Sequence, residues 1–281
     1  VKTPQLHAMV RKYIDLYIRD EIPGYEEKSA RFRYLFGRLR TTAEDIVDRM
    51  AEELAESDFK PVAFELGFGG RDGTLPAITI QEGDATLSVS GKVDRVDGWL
   101  HDGKLYLRVV DYKTGRKSFD LSDVRYGLGI QMLLYLFTLE KEGQSCFGYP
   151  IVPAGVLYHP ARDLILKADR DITPEALRRA MDRELRRDGM VLGDPEVLRA
   201  MEHSALEAPC FLPIQVSKDG GISGGVATAA QLGRLGQYVE KLLHQIIREL
   251  RQGNIDADPC WRGPQESACT YCDFASACHF Q

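Results

Sequence analysis

Gly91-Lys92-Val93-Asp94-Arg95-Val96-Asp97 and, beyond a short apolar run, Val109-Val110-Asp111-Tyr112-Lys113-Thr114-Gly115 are the two stretches on which the reading of this chain turns. On a strand, alternate side chains share a face, so Asp111 and Lys113 point the same way and Tyr112 the other. The strand entering Asp111 is apolar (Leu105, Leu107, Val109, Val110), which puts this carboxylate at the end of a buried strand. Asp94 lies on the preceding strand, and a hairpin turning around Asp97 to Lys104 brings it beside Asp111. Two carboxylates held together repel unless a cation sits between them, and hard oxygen ligands suit Mg²⁺ or Mn²⁺. A neighbouring lysine can orient a water and counter charge on a phosphate, which is what phosphodiester hydrolysis needs. A lone D-x-K is common and is ordinarily no more than a surface ion pair. The combination of G-x-V-D-R-V-D, an apolar strand and D-Y-K-T-G is far more restrictive.

Working outward, the 281 residues can bury a sizeable core, and 44% hydrophobic with 28% charged content is ordinary for a globular protein. No apolar run approaches the roughly 20 residues of a membrane span, and the start carries no signal or transit pattern, so the expected location is the cytoplasm. The chain opens at Val1 directly in helical pattern, which reads as a fragment of a longer protein. A net charge of −6 weighs mildly against nucleic acid, but a metal site must itself concentrate carboxylates. Basic groups cluster in Arg31/Arg33/Arg38/Arg40, in Arg116/Lys117 and in Arg178/Arg179/Arg183/Arg186/Arg187; such clusters are more often solvated helix faces than DNA contacts.

Apolar residues recur at helical spacing from Leu6 to Tyr17 and from Ala43 to Leu54, broken at Ile22-Pro23-Gly24. Short strand-like runs follow at Val62–Phe68, Ala77–Ile80, Thr86–Val96 and Lys104–Tyr112, separated by turn signals that suggest an antiparallel meander. A helix is expected from Asp123 to Glu140, a strand at Gly155–Tyr158, an arginine-rich helix from Thr173 to Arg187 and a strand at Leu212–Val216. A last helix is marked by the stripe from Leu232 to Leu250. The expected class is α/β (α+β), a central mixed sheet flanked by helices. A single domain spans 1–281: a helical part to 58, a core over 59–160, an insertion and long helix over 161–253, and a cysteine-rich tail. No G-x-x-x-x-G-K-[S/T] occurs, so this chain supplies no ATPase of its own.

The D…D-x-K pattern resembles the RecB-type branch of the PD-(D/E)XK nucleases, with their restriction-endonuclease-like core. The resemblance implies that Asp94 and Asp111 hold Mg²⁺ or Mn²⁺ and that Lys113 assists hydrolysis. Gln131 and Tyr135, four residues apart and so on one helical face, match the family's pair on the following helix and are implied to position substrate. Glu65, in Phe64-Glu65-Leu66-Gly67, resembles the family's strand glutamate; it is either a supporting metal ligand or the partner of a basic neighbour. His7 sits in helical pattern, but its surroundings match the segment after the family's histidine ligand.

Cys260, Cys269, Cys272 and Cys278 give C-x₈-C-x₂-C-x₅-C, a clustering that suits zinc or iron–sulfur rather than disulfides in a cytosolic protein. Cys146 and Cys210 read as ordinary buried thiols. The ending from Ala268 to Phe280 is similar to the C-terminal motif of RecB-like nucleases, in which late cysteines join a remote one on a 4Fe-4S cluster. On that resemblance Cys269, Cys272 and Cys278 are three ligands, and the fourth is Cys260 or a cysteine preceding Val1. The likeness to the B subunits of AddAB-type helicase–nucleases runs nearly end to end, from Arg31-Phe32-Arg33-Tyr34 to the tail. It implies a DNA exonuclease module in double-strand break repair, partnered by an A-type motor subunit. The alternatives are a stand-alone CRISPR-associated exonuclease, disfavoured by the long insertion from Asp163 to Gly225, and a non-catalytic DNA-binding module, disfavoured by the intact motif.

Overall fold

The computed structural model describes residues 3–70, 73–115, 118–162, 164, 166, 171–263 and 267–278. Helices α1 (Thr3–Glu21) and α2 (Ala30–Ala55) form an antiparallel hairpin. Ser29 caps α2 by accepting from the Phe32 amide at 3.2 Å, satisfying one of the donors that a helix start leaves open. His7 clips the hairpin through Asp48 at 2.7 Å, and Arg11 does so through Glu44 at 2.6 Å. The periodic stripe of α1 stays largely in solvent; Tyr13 is 63% exposed.

The next strands are β1 (Lys60–Phe68), β2 (Ile78–Glu82), β3 (Ala85–Val89), β4 (Gly91–His101) and β5 (Lys104–Lys113). The expected meander is corrected here. β2 and β3 pair only with each other, and β1 pairs with β4. The run expected as one strand from Thr86 to Val96 is therefore two, because its halves serve different sheets and break at Ser90. The expected helix from Asp123 to Glu140 is also two, α3 (Leu121–Arg125) and α4 (Gln131–Phe147). Gly127 and Gly129 between them take φ of 77° and 65°, left-handed backbone that ends a right-handed helix.

After α4 comes β6 (Ile151–Pro160), parallel to β5. Parallel neighbours need a crossover, and α4 supplies it, packing on both strands. The arginine-rich helix α5 (Pro174–Glu184) stops short of expectation, and Asp188–Leu192 is instead strand β7. A side chain at Gly189 would strike the carbonyl of Val156, so the close approach of β6 and β7 requires glycine. There follow α6 (Pro195–Met201), the hairpin of β8 (Ile214–Val216) and β9 (Ile222–Gly224), β10 (Val226–Ala227) and α7 (Ala229–Arg251). A capping box of Thr228 and Gln231 starts α7, which buries Leu232, Val239, Leu243 and Ile247. The main sheet runs β1-β4-β5-β6-β7-β10, mixed, and α4 packs on β5 and β6 with its own Leu133, Leu136 and Leu139 buried in the core. Among the described residues, no helix is long and apolar enough to cross a membrane.

Candidate active site

The register of β4 on β5 pairs Arg95 with Val110, and one further step sets Asp94 abreast of Asp111. Asp111 in turn pairs with Tyr158 on β6, and Tyr158 with Asp188 on β7. On the other side, Phe64 and Leu66 of β1 pair with Arg95 and Val93, which puts Glu65 abreast of Asp94. One row thus crosses five strands: Glu65, Asp94, Asp111, Tyr158, Asp188. The hairpin that aligns Asp94 with Asp111 turns at Asp102-Gly103, with φ of 48° and 71°, at the far end of the expected Asp97–Lys104 stretch, while Asp97 is still inside the strand.

Asp94 is held by the Tyr112 amide, which donates to its Oδ2 at 2.9 Å. Asp111 is 8% exposed, and its buried Oδ2 has no hydrogen-bond partner apart from the ion pair with the Lys113 ammonium. That ammonium also lies 5.5 Å from the centroid of the Tyr158 ring, a cation–π arrangement. Burial, and then the carboxylates of Asp111, Asp188 and Asp123, push the Tyr158 phenol up to about 12, so it keeps its proton.

These donors fit a hard divalent cation. Mg²⁺ is commonly held by one or two carboxylates, with waters and substrate phosphate completing its shell. Asp94 and Asp111 supply that pair, and the buried Oδ2 of Asp111 already holds one cation, the Lys113 ammonium. Among the described residues no group of three or more His, Cys, Asp or Glu is gathered for a metal. Glu65 instead pairs with Lys92 at 3.3 Å. It does so with φ of 50°, left-handed backbone inside a strand, and such strain in a non-glycine residue gathers at functional sites. His7 is engaged with Asp48 and Glu44 on α2.

Gln131 stands exposed in the first turn of α4 and donates to the Tyr135 hydroxyl at 3.0 Å. Tyr135 itself is core: its ring stacks on Phe68 at 5.3 Å. Its hydroxyl occupies the space a side chain at position 91 would need, which explains the glycine that opens G-x-V-D.

The opposite face of the same strands carries charges whose burial the sequence reading did not anticipate. Arg95, Asp97 and Arg108 are fully buried, with Glu53 of α2 at 2% and Arg187 also at 2% exposure. Arg108 donates to Asp97 at 3.0 Å and to Glu53 at 3.2 Å; Arg95 donates to Asp97 at 3.1 Å and to the Tyr112 hydroxyl at 2.9 Å. Arg187 closes the set on Glu53 at 2.5 Å. The expectation that Arg186 and Arg187 belong to a solvated helix face is thereby corrected: the helix ends before them, and Arg187 turns inward. Burial would raise the Glu53 carboxyl, but Arg187, Arg108 and Arg95 outweigh it and hold it at about 2. Burial and Arg187 push His159 down to about 3, so it stays neutral where positive charge is already in excess. Tyr112 joins the two faces, its amide on Asp94 and its phenol on Arg95. The signal available beforehand was a charge inside an apolar strand, Leu107-Arg108-Val109.

In the tail, Cys269, Cys272 and Cys278 line one cavity of about 350 Å³, and Cys260 is not among its lining residues. Cys146 is exposed, not buried as expected, because it falls on the solvent side of the last turn of α4. Cys210 is half-buried against Arg49, and burial pushes its thiol up. Arg116, Lys117, His279 and Phe280 lie outside the described residues.

The model of the PD-(D/E)XK nuclease superfamily matches residues 2–279. The chain is 36% identical over 255 residues to the B-type subunit of the ATP-dependent helicase/deoxyribonuclease of Acetivibrio thermocellus, covering 90% of this chain and 22% of that protein. The same-named subunit of Caldanaerobacter subterraneus is 34% identical over 268 residues, covering 93% of this chain and 23% of the relative. That of Clostridium botulinum strain Hall is 33% identical over 275 residues, covering 95% and 24%. The chain thus spans about a quarter of the length of these curated relatives. With the D…D-x-K row on adjacent central strands and a matching family model over nearly every residue, this chain belongs to the PD-(D/E)XK nuclease superfamily.

Proposed function

We propose that this chain is a Mg²⁺- or Mn²⁺-dependent deoxyribonuclease module of the exonuclease type. We place it in the B subunit of a helicase–nuclease for double-strand break repair, with DNA as substrate and an A-type motor subunit as partner. The observation that carries the reading is Asp94 abreast of Asp111, with the buried Asp111 carboxylate ion-paired to the Lys113 ammonium. Asp94 and Asp111 would hold the cation, with Glu65 as a supporting ligand once released from Lys92. The cation supplies charge neutralisation at the phosphate and a lower pKa for the attacking water. Lys113, kept in place by Asp111 and the Tyr158 ring, orients that water and counters the charge growing on the phosphate. Gln131, steadied by Tyr135, positions the strand. The purified chain is expected to degrade linear single-stranded DNA with Mg²⁺ and to stop with EDTA. It should spare covalently closed circles. Absence of cleavage with either metal would sink the assignment, and equal attack on closed circles would remove its exonuclease part.

We further infer that Cys269, Cys272 and Cys278 are three ligands of a 4Fe-4S cluster; the three line one cavity, although among the described residues they are not gathered into a metal-holding group as they stand. The resemblance implies a cluster that joins distant parts of the protein, so the fourth ligand is expected outside this chain rather than at Cys260, whose neighbour Pro259 borders the same cavity. Anaerobic reconstitution should then give less than one cluster per chain by iron and sulfide analysis, unchanged in Cys260→Ser. A stoichiometric cluster lost on that substitution would show that Cys260 closes the set.

A further inference from the structure

Beside Lys113 the surface opens into a cavity of about 270 Å³ whose walls come largely from elements after β5. Tyr158 and Asp188 continue the row of Asp94 and Asp111 into it, and Arg162 and Arg186 border it. The two arginines are held differently. Arg162 pairs at 3.5 Å with Glu184, a carboxylate that also lines the cavity. Arg186 donates to the carbonyl oxygens of Pro209 at 2.7 Å and Ile214 at 3.3 Å, so its charge is fixed in place by neutral groups. A half-buried guanidinium whose hydrogen bonds run to carbonyls keeps its full charge in a region where charge is costly. It is preorganised for an anion, and it faces the same space as the lysine of D-Y-K-T-G. Asp188 is no rival for it: its carboxylate accepts from the amides of Phe119 at 3.2 Å and Gly189 at 2.7 Å. Asp188 thereby ties the segment following D-Y-K-T-G to β7 and shapes one wall.

We propose that this cavity is a subsite for the phosphodiester adjoining the one cleaved, with Arg186 and Arg162 as its cationic wall. The proposal rests on the nuclease reading and deepens it. Cleavage by Lys113 and the paired aspartates requires the scissile phosphate above Asp111. A strand running along the row of side chains then brings its neighbouring phosphate over Tyr158 and towards Arg186. The contact is to backbone charge, so it reads no sequence and serves to fix register on the strand.

The test is a double-mutant cycle on binding, made with the full chain in EDTA so that cleavage plays no part. Single-stranded oligonucleotides, each with one neutral methylphosphonate at a chosen linkage, are titrated by fluorescence anisotropy against the native chain, Arg186→Gln and Arg162→Gln. One linkage should weaken binding to the native chain by about tenfold. That penalty should shrink to about twofold or less in Arg186→Gln, with other linkages unaffected. Loss of one phosphate contact should also lower the slope of log affinity against log salt by about 0.7, equally for all base sequences. Where Arg186→Gln lowers the thermal midpoint, Arg162→Gln carries the test, since its ion-pair partner is a half-exposed Glu184. A separate cleavage assay with Mg²⁺ then locates the coupled linkage relative to the cut. Cleavage by a native chain in which no linkage couples to either arginine would overturn the subsite and leave the nuclease reading standing. Coupling in a chain that cleaves nothing would keep the subsite as a phosphate contact and remove the nuclease reading. Competition by inorganic phosphate or a nucleoside monophosphate as strong as by the oligonucleotide would assign the cavity to a free phosphate and overturn the strand contact.

Discussion

Asp111→Ala is expected to abolish metal-dependent DNA cleavage while leaving the chain folded. Its buried carboxylate is ion-paired with the Lys113 ammonium and faces the site rather than the apolar core, so its removal takes away a candidate metal ligand and no apolar packing. Losing the several kcal/mol that a catalytic metal supplies corresponds to about three to four orders of magnitude in rate. Asp94→Ala and Lys113→Ala should behave alike, because the three groups act as a unit. Gln131→Ala should cost less, about a hundredfold, as a loss of placement. The measurements are initial rates on end-labelled DNA and thermal melts of the same preparations. An Asp111→Ala protein that cleaves at the native rate would refute the assignment. A Gln131→Ala protein that loses metal affinity would show that Gln131 does more than position the strand.

The second large effect concerns stability. Glu53→Gln is expected to destabilise the chain by about 3–5 kcal/mol, because it removes one partner of a buried ion cluster and leaves guanidinium charge uncompensated. Two carboxylates, Glu53 and Asp97, face Arg95, Arg108 and Arg187 in a region sealed from water. Losing Glu53 leaves one carboxylate for three cations. The same cluster predicts acid lability. Glu53 is held at about 2, below its usual 4.5, so its contribution is complete above that value and is lost as pH falls through 4.5 towards 2. His159 is held near 3, below 6.5, so protons favour the unfolded chain as pH falls from 6.5 towards 3. Both therefore act in the same direction, and urea midpoints should fall steadily on acidification. In Glu53→Gln the fall between 4.5 and 2 should be shallower. A loss below about 1 kcal/mol in Glu53→Gln would mean that water reaches the cluster.

These two experiments divide the molecule along its sheet. One face of β4 and β5 presents Asp94, Asp111 and Lys113; the other grips α2 through Asp97 and Arg108. Tyr112, the residue inside D-x-K, connects them through its amide and its phenol. The motif residue Arg95 is thus a support for the reactive face, reached through Tyr112.

What the sequence determined by itself was local. Strand alternation settled that Asp111 and Lys113 share a face, and the turn at Asp102-Gly103 made Asp94 their neighbour, since adjacent strands in a hairpin keep a register set by the turn. The helical stripe from Leu232 to Leu250 foretold α7 because 3.6-residue periodicity is a property of the chain alone. Tertiary structure decided what depends on partners distant in sequence. Whether Thr86–Val96 was one strand or two depended on β1 and β2 competing for its halves, and Asp188–Leu192 became a strand because β6 offered it an edge. Glu53 and Arg187, 134 positions apart, show no pattern that marks them for burial, because each is tolerated inside only through the other's charge, brought to it by the fold. The row from Asp94 to Asp188 likewise exists only once β5 and β6 run parallel, a pairing that the crossover helix α4, and no local signal, brings about.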